Sequence, residues 1–158
     1  MVVQKPLRYA SNALVCSRTA FELQTAVRSK KFGVVVGPGC GFVVARNPDS
    51  VLAPAAAFVS AARLSRQALG SFFFPCAPTL AVEVVSPNES ADEVHAKAQM
   101  WIESGSEVVW LVWPGDRTVS VYRSPDNVRV LTTGQTLEGD DVLPGFAVPV
   151  ADLFAGLK

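Results

Sequence analysis

The sequence carries no net charge: its 14 Lys and Arg balance its 14 Asp and Glu, so no global basic field draws the chain onto DNA or an acidic membrane surface. Any contact with nucleic acid therefore has to be local. Histidine occurs once, at His95, and no histidine–carboxylate constellation accompanies Ser86, which argues against a serine hydrolase. The three cysteines, Cys16, Cys40 and Cys76, are odd in number and widely spaced, so they lack the close pairs of zinc sites and read as reduced thiols. No stretch of about twenty apolar residues exists and no basic cluster precedes an apolar start, so the expectation is a cytoplasmic protein without signal peptide or membrane span. Repeats and low-complexity segments are absent.

What is present suits one compact domain covering 1–158, with an apolar fraction of 49% to fill a core. After a weakly patterned start, Ser17 is expected to cap a helix whose apolar positions Phe21, Leu23, Ala26 and Val27 follow a helical period, with Gly33 ending it. Val34–Val36 and Phe42–Val44 read as a hairpin around a glycine-rich turn. The glycine spacing matches no dinucleotide fingerprint and no Lys-Ser/Thr pair follows, which puts a turn ahead of a phosphate loop. Asn47–Ser50 is a turn by composition, Val51–Val59 one short strand, and residues 60–71 a basic helical stretch with Arg63 and Arg66. Phe72–Pro78 is a proline-punctuated lead into the next strand.

That strand, Thr79–Ser86, is apolar on both faces apart from Glu83, as expected for the middle of a covered sheet. A loop and cap region from Pro87 to Asp92 precedes a helix that Gly105 stops near Ser104. Val108–Trp113 is a second strong strand, Thr118–Tyr122 alternates as if one face were wet, and Val128–Thr132 completes an antiparallel set. The tail reads as irregular, with a final helical turn at 150–154.

Chemistry concentrates at Glu83. An ionised carboxylate in an apolar sheet costs several kcal/mol unless a cation, metal or hydrogen-bond donor compensates it. Two readings stand side by side: a structural pairing at the sheet's end, or a functional site. Lys97 lies about 60° from the centre of the apolar stripe Val94, Ala98, Trp101 and Gly105, so its ammonium can reach inward toward Glu83 or snorkel to the surface. Glu93 lies one turn earlier on the same flank. His95, about 100° off the stripe, reads as a solvated helix residue. Trp101, Trp110 and Trp113 read as core or subunit-contact residues rather than base-stacking platforms.

The series Leu80-Ala-Val-Glu-Val-Val-Ser-Pro87, Lys97, Gly105, Val109-Trp-Leu-Val112, Thr118–Tyr122, Asp141–Phe146 and Leu153-Phe154 resembles the Uma-two family of bacterial restriction endonucleases. The resemblance covers the chain from residue 78 onward; the first half matches loosely. It implies the fold of the PD-(D/E)xK nuclease superfamily: a mixed α/β restriction-endonuclease-like core, with a mixed central sheet flanked by helices and C-terminal antiparallel strands. It further implies DNA phosphodiester hydrolysis by Mg²⁺, held by carboxylates, with a lysine orienting the attacking water. By motif matching Glu83 is the metal-ligating strand glutamate, Lys97 the relocated catalytic lysine, and Val85 stands where the superfamily's lysine usually is. The departures are Ala55, in the Pro54-Ala55 pair where the family has its metal-binding aspartate, Thr79 in place of a second aspartate, and the absence of histidine from residues 16–27. Asp49 follows a proline, but in a turn six residues before Ala55. A single carboxylate beside a lysine competes poorly with the hydration shell of Mg²⁺, so a weak or inactive site is expected. Arg63, Arg66 and the Arg28–Lys31 cluster are candidates for a local DNA-binding patch, and the aromatic segment Phe72–Phe74 for a homodimer contact.

Overall fold

The computed structural model describes residues 9–64 and 69–158. Helix α1 spans Ala10–Val27, and its apolar positions Val15, Leu23 and Val27 are buried. The expected cap at Ser17 is corrected: the helix is capped at Tyr9 and begins at Ala10, and Phe21 stands 67% exposed. The stretch before Ser17 has too irregular a pattern to announce a helix, yet packing of Val15 and Asn12 against the sheet holds it.

The strands are β1 (Gly33–Val36), β2 (Gly41–Ala45), β3 (Ser50–Leu52), β4 (Ala56–Ser60), β5 (Phe73–Phe74), β6 (Leu80–Val84), β7 (Val108–Trp113), β8 (Thr118–Ser124), β9 (Asn127–Leu131), β10 (Thr136–Glu138) and β11 (Ala147–Pro149). Helix α2 spans Ala91–Glu103 and α3 spans Val150–Leu153. The main sheet runs β1-β4-β6-β7-β8-β9, with β6 and β7 parallel and its other neighbours antiparallel. A second, three-stranded sheet has the order β3-β2-β5, and β10 pairs with β11. This is the mixed sheet with flanking helices and antiparallel C-terminal strands that the sequence implied.

Two of the sequence expectations fail on strand pairing. Val34–Val36 and Phe42–Val44 are both strands joined by a turn, but β1 pairs with β4 and β2 pairs with β3 and β5, so the hairpin does not exist. A Cβ on Gly33 would lie 2.0 Å from the Val59 carbonyl oxygen, so β1 packs on β4 at a position only glycine tolerates. Val51–Val59 is likewise two strands: the chain leaves the small sheet after Leu52, crosses Ala53-Pro54-Ala55 and joins the main sheet at Ala56. The turn at Asn47–Asp49 is as expected. Residues 61–63 form a turn rather than the start of a helix, and residues 65–68, including Arg66, lie outside those described.

The main sheet is covered on both sides. Leu80, Val82 and Val84 of β6 meet α1, Trp110 and the C-terminal segment around Leu137, Phe146 and Leu153. Ala81 and Val85 face the other way with Val94, Ala98 and Trp101 of α2 and with Phe42 and Phe74 of the small sheet. The helical stripe and the two-sided apolar strand are therefore both as read from the sequence. Strand β8 departs from its reading: Val119 to Tyr122 are buried on both faces. Ser120 tolerates burial because Trp113 Nε1 donates to its hydroxyl at 3.0 Å. The tail is also less irregular than expected, since β10 and β11 pair across it before the final turn α3.

The unit β6–α2–β7 sets up the site. Ser90 caps α2 in a reciprocal capping box with Glu93, which fixes where the helix starts after the loop. The C-cap Ser104 is followed by Gly105 in the left-handed region at φ 116°, which ends it. Parallel pairing of β6 with β7 then lays α2 back across the carboxylate-bearing face of β6.

Candidate active site

Glu83 lies on the α2 face of β6, opposite Leu111 of β7. Two side chains of α2, one helical turn apart, reach its carboxylate. Trp101 Nε1 donates to Glu83 Oε1 at 2.8 Å, and Lys97 Nζ stands 3.9 Å from Glu83 Oε2. The expected approach of Lys97 to Glu83 is thus present, and the snorkelling alternative is not what the lysine does. The Glu83 side chain is 13% exposed, so its charge is largely withdrawn from water and depends on these partners.

A second carboxylate shares the lysine. Glu89, in the β6–α2 loop, accepts from Lys97 Nζ at 3.0 Å through Oε1 and from the Ser86 backbone N–H at 2.8 Å through Oε2. Burial alone pushes the Glu89 pKa up, but the Ser86 N–H and the Lys97 ammonium outweigh it and hold the group below its ordinary range. Lys97 therefore sits nearer Glu89 than Glu83.

The remaining positions are not assembled around Glu83. Ala55 is 2% exposed, and its N–H donates to Val82 O at 2.8 Å. The Ala56–Val82 pairing, continued by one residue, sets Ala55 across from Glu83, yet the chain bends there and the methyl packs with the α1-side core. The Thr79 hydroxyl accepts from the Ser60 N–H at 3.0 Å, a role in pinning β4 to β6. Asp49 pairs with Arg46 at 3.1 Å in the exposed turn between β2 and β3. No group of three or more His, Cys, Asp or Glu suited to hold a metal is found among the described residues.

His95 is exposed but not simply solvated: its Nδ1 is hydrogen-bonded to the Tyr122 hydroxyl, and its ring lies 5.8 Å from that of Trp113. Burial pushes the Tyr122 pKa up. Arg63, expected in a basic surface patch, instead donates to the Ala77 and Pro78 carbonyls at 3.1 and 3.2 Å and pairs with Glu107 at 3.3 Å. Arg28, Lys30 and Lys31 are exposed.

Sequence reasoning missed three participants. The helical phase of Trp101 places it in the core, and the available signal is that a buried indole N–H needs an acceptor. Glu89 sits in a loop that no periodicity places. Asn12 donates through Nδ2 to Val85 O and Ser86 Oγ, each at 3.0 Å, and nothing in the N-terminal pattern singles it out.

The family model described as "Uma2: Putative restriction endonuclease" matches residues 1–151. The chain belongs to the Uma2 family. Among solved structures, a putative nuclease belonging to DUF820 from Anabaena variabilis ATCC 29413 superposes with a TM-score of 0.81 at 21% identity, covering 96% of this chain and 84% of that one. At that identity it establishes the nuclease-like fold alone. No curated protein matches the sequence. In this Uma2-family chain, Glu83 and Lys97 are in contact, while the position expected to carry an aspartate holds Ala55. Among the described residues no helix is long and apolar enough to cross a membrane.

Proposed function

We propose that this Uma2-family protein is a nuclease-fold protein directed at nucleic acid, whose phosphodiester-cleaving site is weak or inactive. The observation that supports the reading is the pairing of Glu83 with Lys97 at 3.9 Å, without an aspartate at residue 55. In active members of such a fold, bound Mg²⁺ neutralises the phosphate and lowers the pKa of the attacking water. The residues present fit that ion poorly. Glu83 has one oxygen engaged by Trp101 and the other turned toward Lys97, and Glu89 has both oxygens occupied by donors. A hard cation that dehydrates reluctantly must displace the ammonium to gain two carboxylates. Lys97 and Trp101 accordingly neutralise and orient Glu83.

Supercoiled plasmid incubated with the protein and Mg²⁺ or Mn²⁺ tests this. The expected result is no cleavage or slow nicking. Brisk cleavage by the unaltered protein, abolished by Glu83→Ala, would overturn the reading.

A non-catalytic module that retains the fold to bind nucleic acid is the second reading, favoured by the exposed cluster Arg28, Lys30 and Lys31. A salt-dependent gel shift lost on neutralising these three residues supports it, and no shift at low salt removes it.

A further inference from the structure

Arg46, Arg63, Lys97, Arg123 and Arg129 each sit in an ion pair. Arg18, Arg28, Lys30, Lys31, Arg117 and Lys158 have no carboxylate partner among the described residues, which hold every acid of the chain. The zero net charge thus conceals a local excess wherever these unpaired cations gather.

They gather along the seam between α1 and the C-terminal segment that packs on it. Arg18 Nη2 lies against Gly156, where an added Cβ would stand 3.4 Å away, and Lys30 Nζ lies against Gly145, at 3.1 Å by the same measure. Arg117 Nη2 donates to Leu157 O at 3.0 Å, which brings the β7–β8 turn to the same segment beside Lys158. Arg28 is the C-cap of α1, and Lys31 follows Lys30 in the turn after it. The helix rises about 15 Å from Arg18 to Arg28, so the cations form a row rather than a point. Glu22 of α1, Asp116 of the turn and Asp152 of α3 are the acids of these elements, and none of them pairs with a cation of the row.

Arg18 points most directly to an anion. It is half-buried, its Nε is buried without an acceptor, and Glu22, at the (i, i+4) spacing where helix ion pairs form, does not bond it. A guanidinium partly withdrawn from water with no counter-ion in its own chain is stabilised by an anion supplied from outside. Beside Arg18 the row opens into a cavity of about 800 Å³, whose wall includes Gly156, Arg117 and Lys158 together with Trp113 and Pro114. Glu89, which bonds Lys97 of the Glu83 site, lines the same cavity. A duplex keeps its base faces stacked inside, whereas a single strand offers them to an aromatic wall.

We infer that the seam and the cavity hold a single nucleic-acid strand, its phosphates along the row of cations and a base against Trp113. The inference rests on the reading of the protein as directed at nucleic acid, and it names a single strand, passing beside Glu89, as the partner. An anionic membrane or an acidic polypeptide offers charge to the row but no base to the indole.

Fluorescence anisotropy in EDTA with a labelled single-stranded DNA oligonucleotide, and with its duplex, tests this apart from any cleavage. The single strand should bind at least about tenfold more tightly than the duplex, and its affinity should fall with salt at a logarithmic slope of about 0.7 per phosphate neutralised. Arg18→Gln and Arg117→Gln should each lower that slope by about 0.7 and weaken binding. Arg46→Gln removes the same charge from the ion pair in the β2–β3 turn and should change neither. Arg18→Gln should also keep Tm, because the charge it removes has no counter-ion in the chain. No binding at low salt, a duplex bound as tightly as the strand, an equal loss in Arg46→Gln, or binding to anionic phosphatidylserine vesicles that is tighter than to the strand overturns the inference. A duplex shift that depends on Arg28, Lys30 and Lys31 but not on Arg18 or Arg117 leaves the broader nucleic-acid reading intact and removes this one. Because the titrations exclude metal and cleavage, the inference can fail while the plasmid result stands, and the reverse.

Discussion

Replacing Trp101 by Phe isolates the bond that holds Glu83. The ring keeps its place, edge-on to Phe42 at 6.1 Å between centroids, but the N–H that donates to Glu83 Oε1 at 2.8 Å is removed. A hydrogen bond to a charged acceptor contributes about 1.5–3 kcal/mol, and the lower end applies because Lys97 remains beside the carboxylate. Shrinking a residue that is 0% exposed adds a cavity term of about 1–2 kcal/mol. The expected destabilisation is therefore about 3 kcal/mol, which for a chain of this size lowers Tm by roughly 6–12 °C. Guanidinium unfolding of the single variants Trp101→Phe and Glu83→Leu and of the double variant separates the bond from the cavity, since the cavity cancels in the cycle. A coupling of about 1.5 kcal/mol is expected from the bond alone. Coupling below about 0.5 kcal/mol, within the additivity error of independent sites, would refute the claim that the indole N–H anchors the glutamate.

Two further outcomes follow from the geometry. The pKa of Glu89 is lower in the folded chain than its ordinary value of 4.5, so the stability it contributes is present above that value and is lost as pH falls through the depressed folded value. The stability difference between the unaltered protein and Glu89→Gln should thus be largest at neutral pH and vanish in acid; an equal difference at pH 6 and pH 3 would contradict the Lys97 and Ser86 contacts as its source. Phe72 is 94% exposed and stacked edge-on with Phe73, itself 42% exposed, which supports a homodimer contact there. Sedimentation velocity at micromolar concentration should show a dimer that Phe72→Ser weakens, and a monomer throughout would dismiss it.

The second half of the chain was legible because its signals are local and agree with one another. Gly105 marks the end of α2, and Val94, Ala98 and Trp101 its buried face, all within one short stretch. The first half misled because the strands at 34–36 and 42–44 are real, yet strand type says nothing about partner. Pairing of β1 with β4, across some twenty residues of sequence, depends on which edges the whole sheet leaves open. Ser120 shows the same limit within one strand: a polar residue in alternation reads as wet until Trp113 supplies a donor.

By itself, the sequence determined the mixed α/β class, the two-sided burial of β6 with its lone carboxylate, the helix that carries Lys97, and the alanine at residue 55. These rest on periodicity and residue identity, which short stretches carry. Only the tertiary structure decided that Trp101 holds Glu83, that Glu89 from the loop takes a share of Lys97, and that Asn12 is buried against Ser86 across the sequence. Those contacts are hydrogen bonds of a few ångströms between distant elements. Their existence depends on rotamer and docking geometry, which no linear pattern encodes.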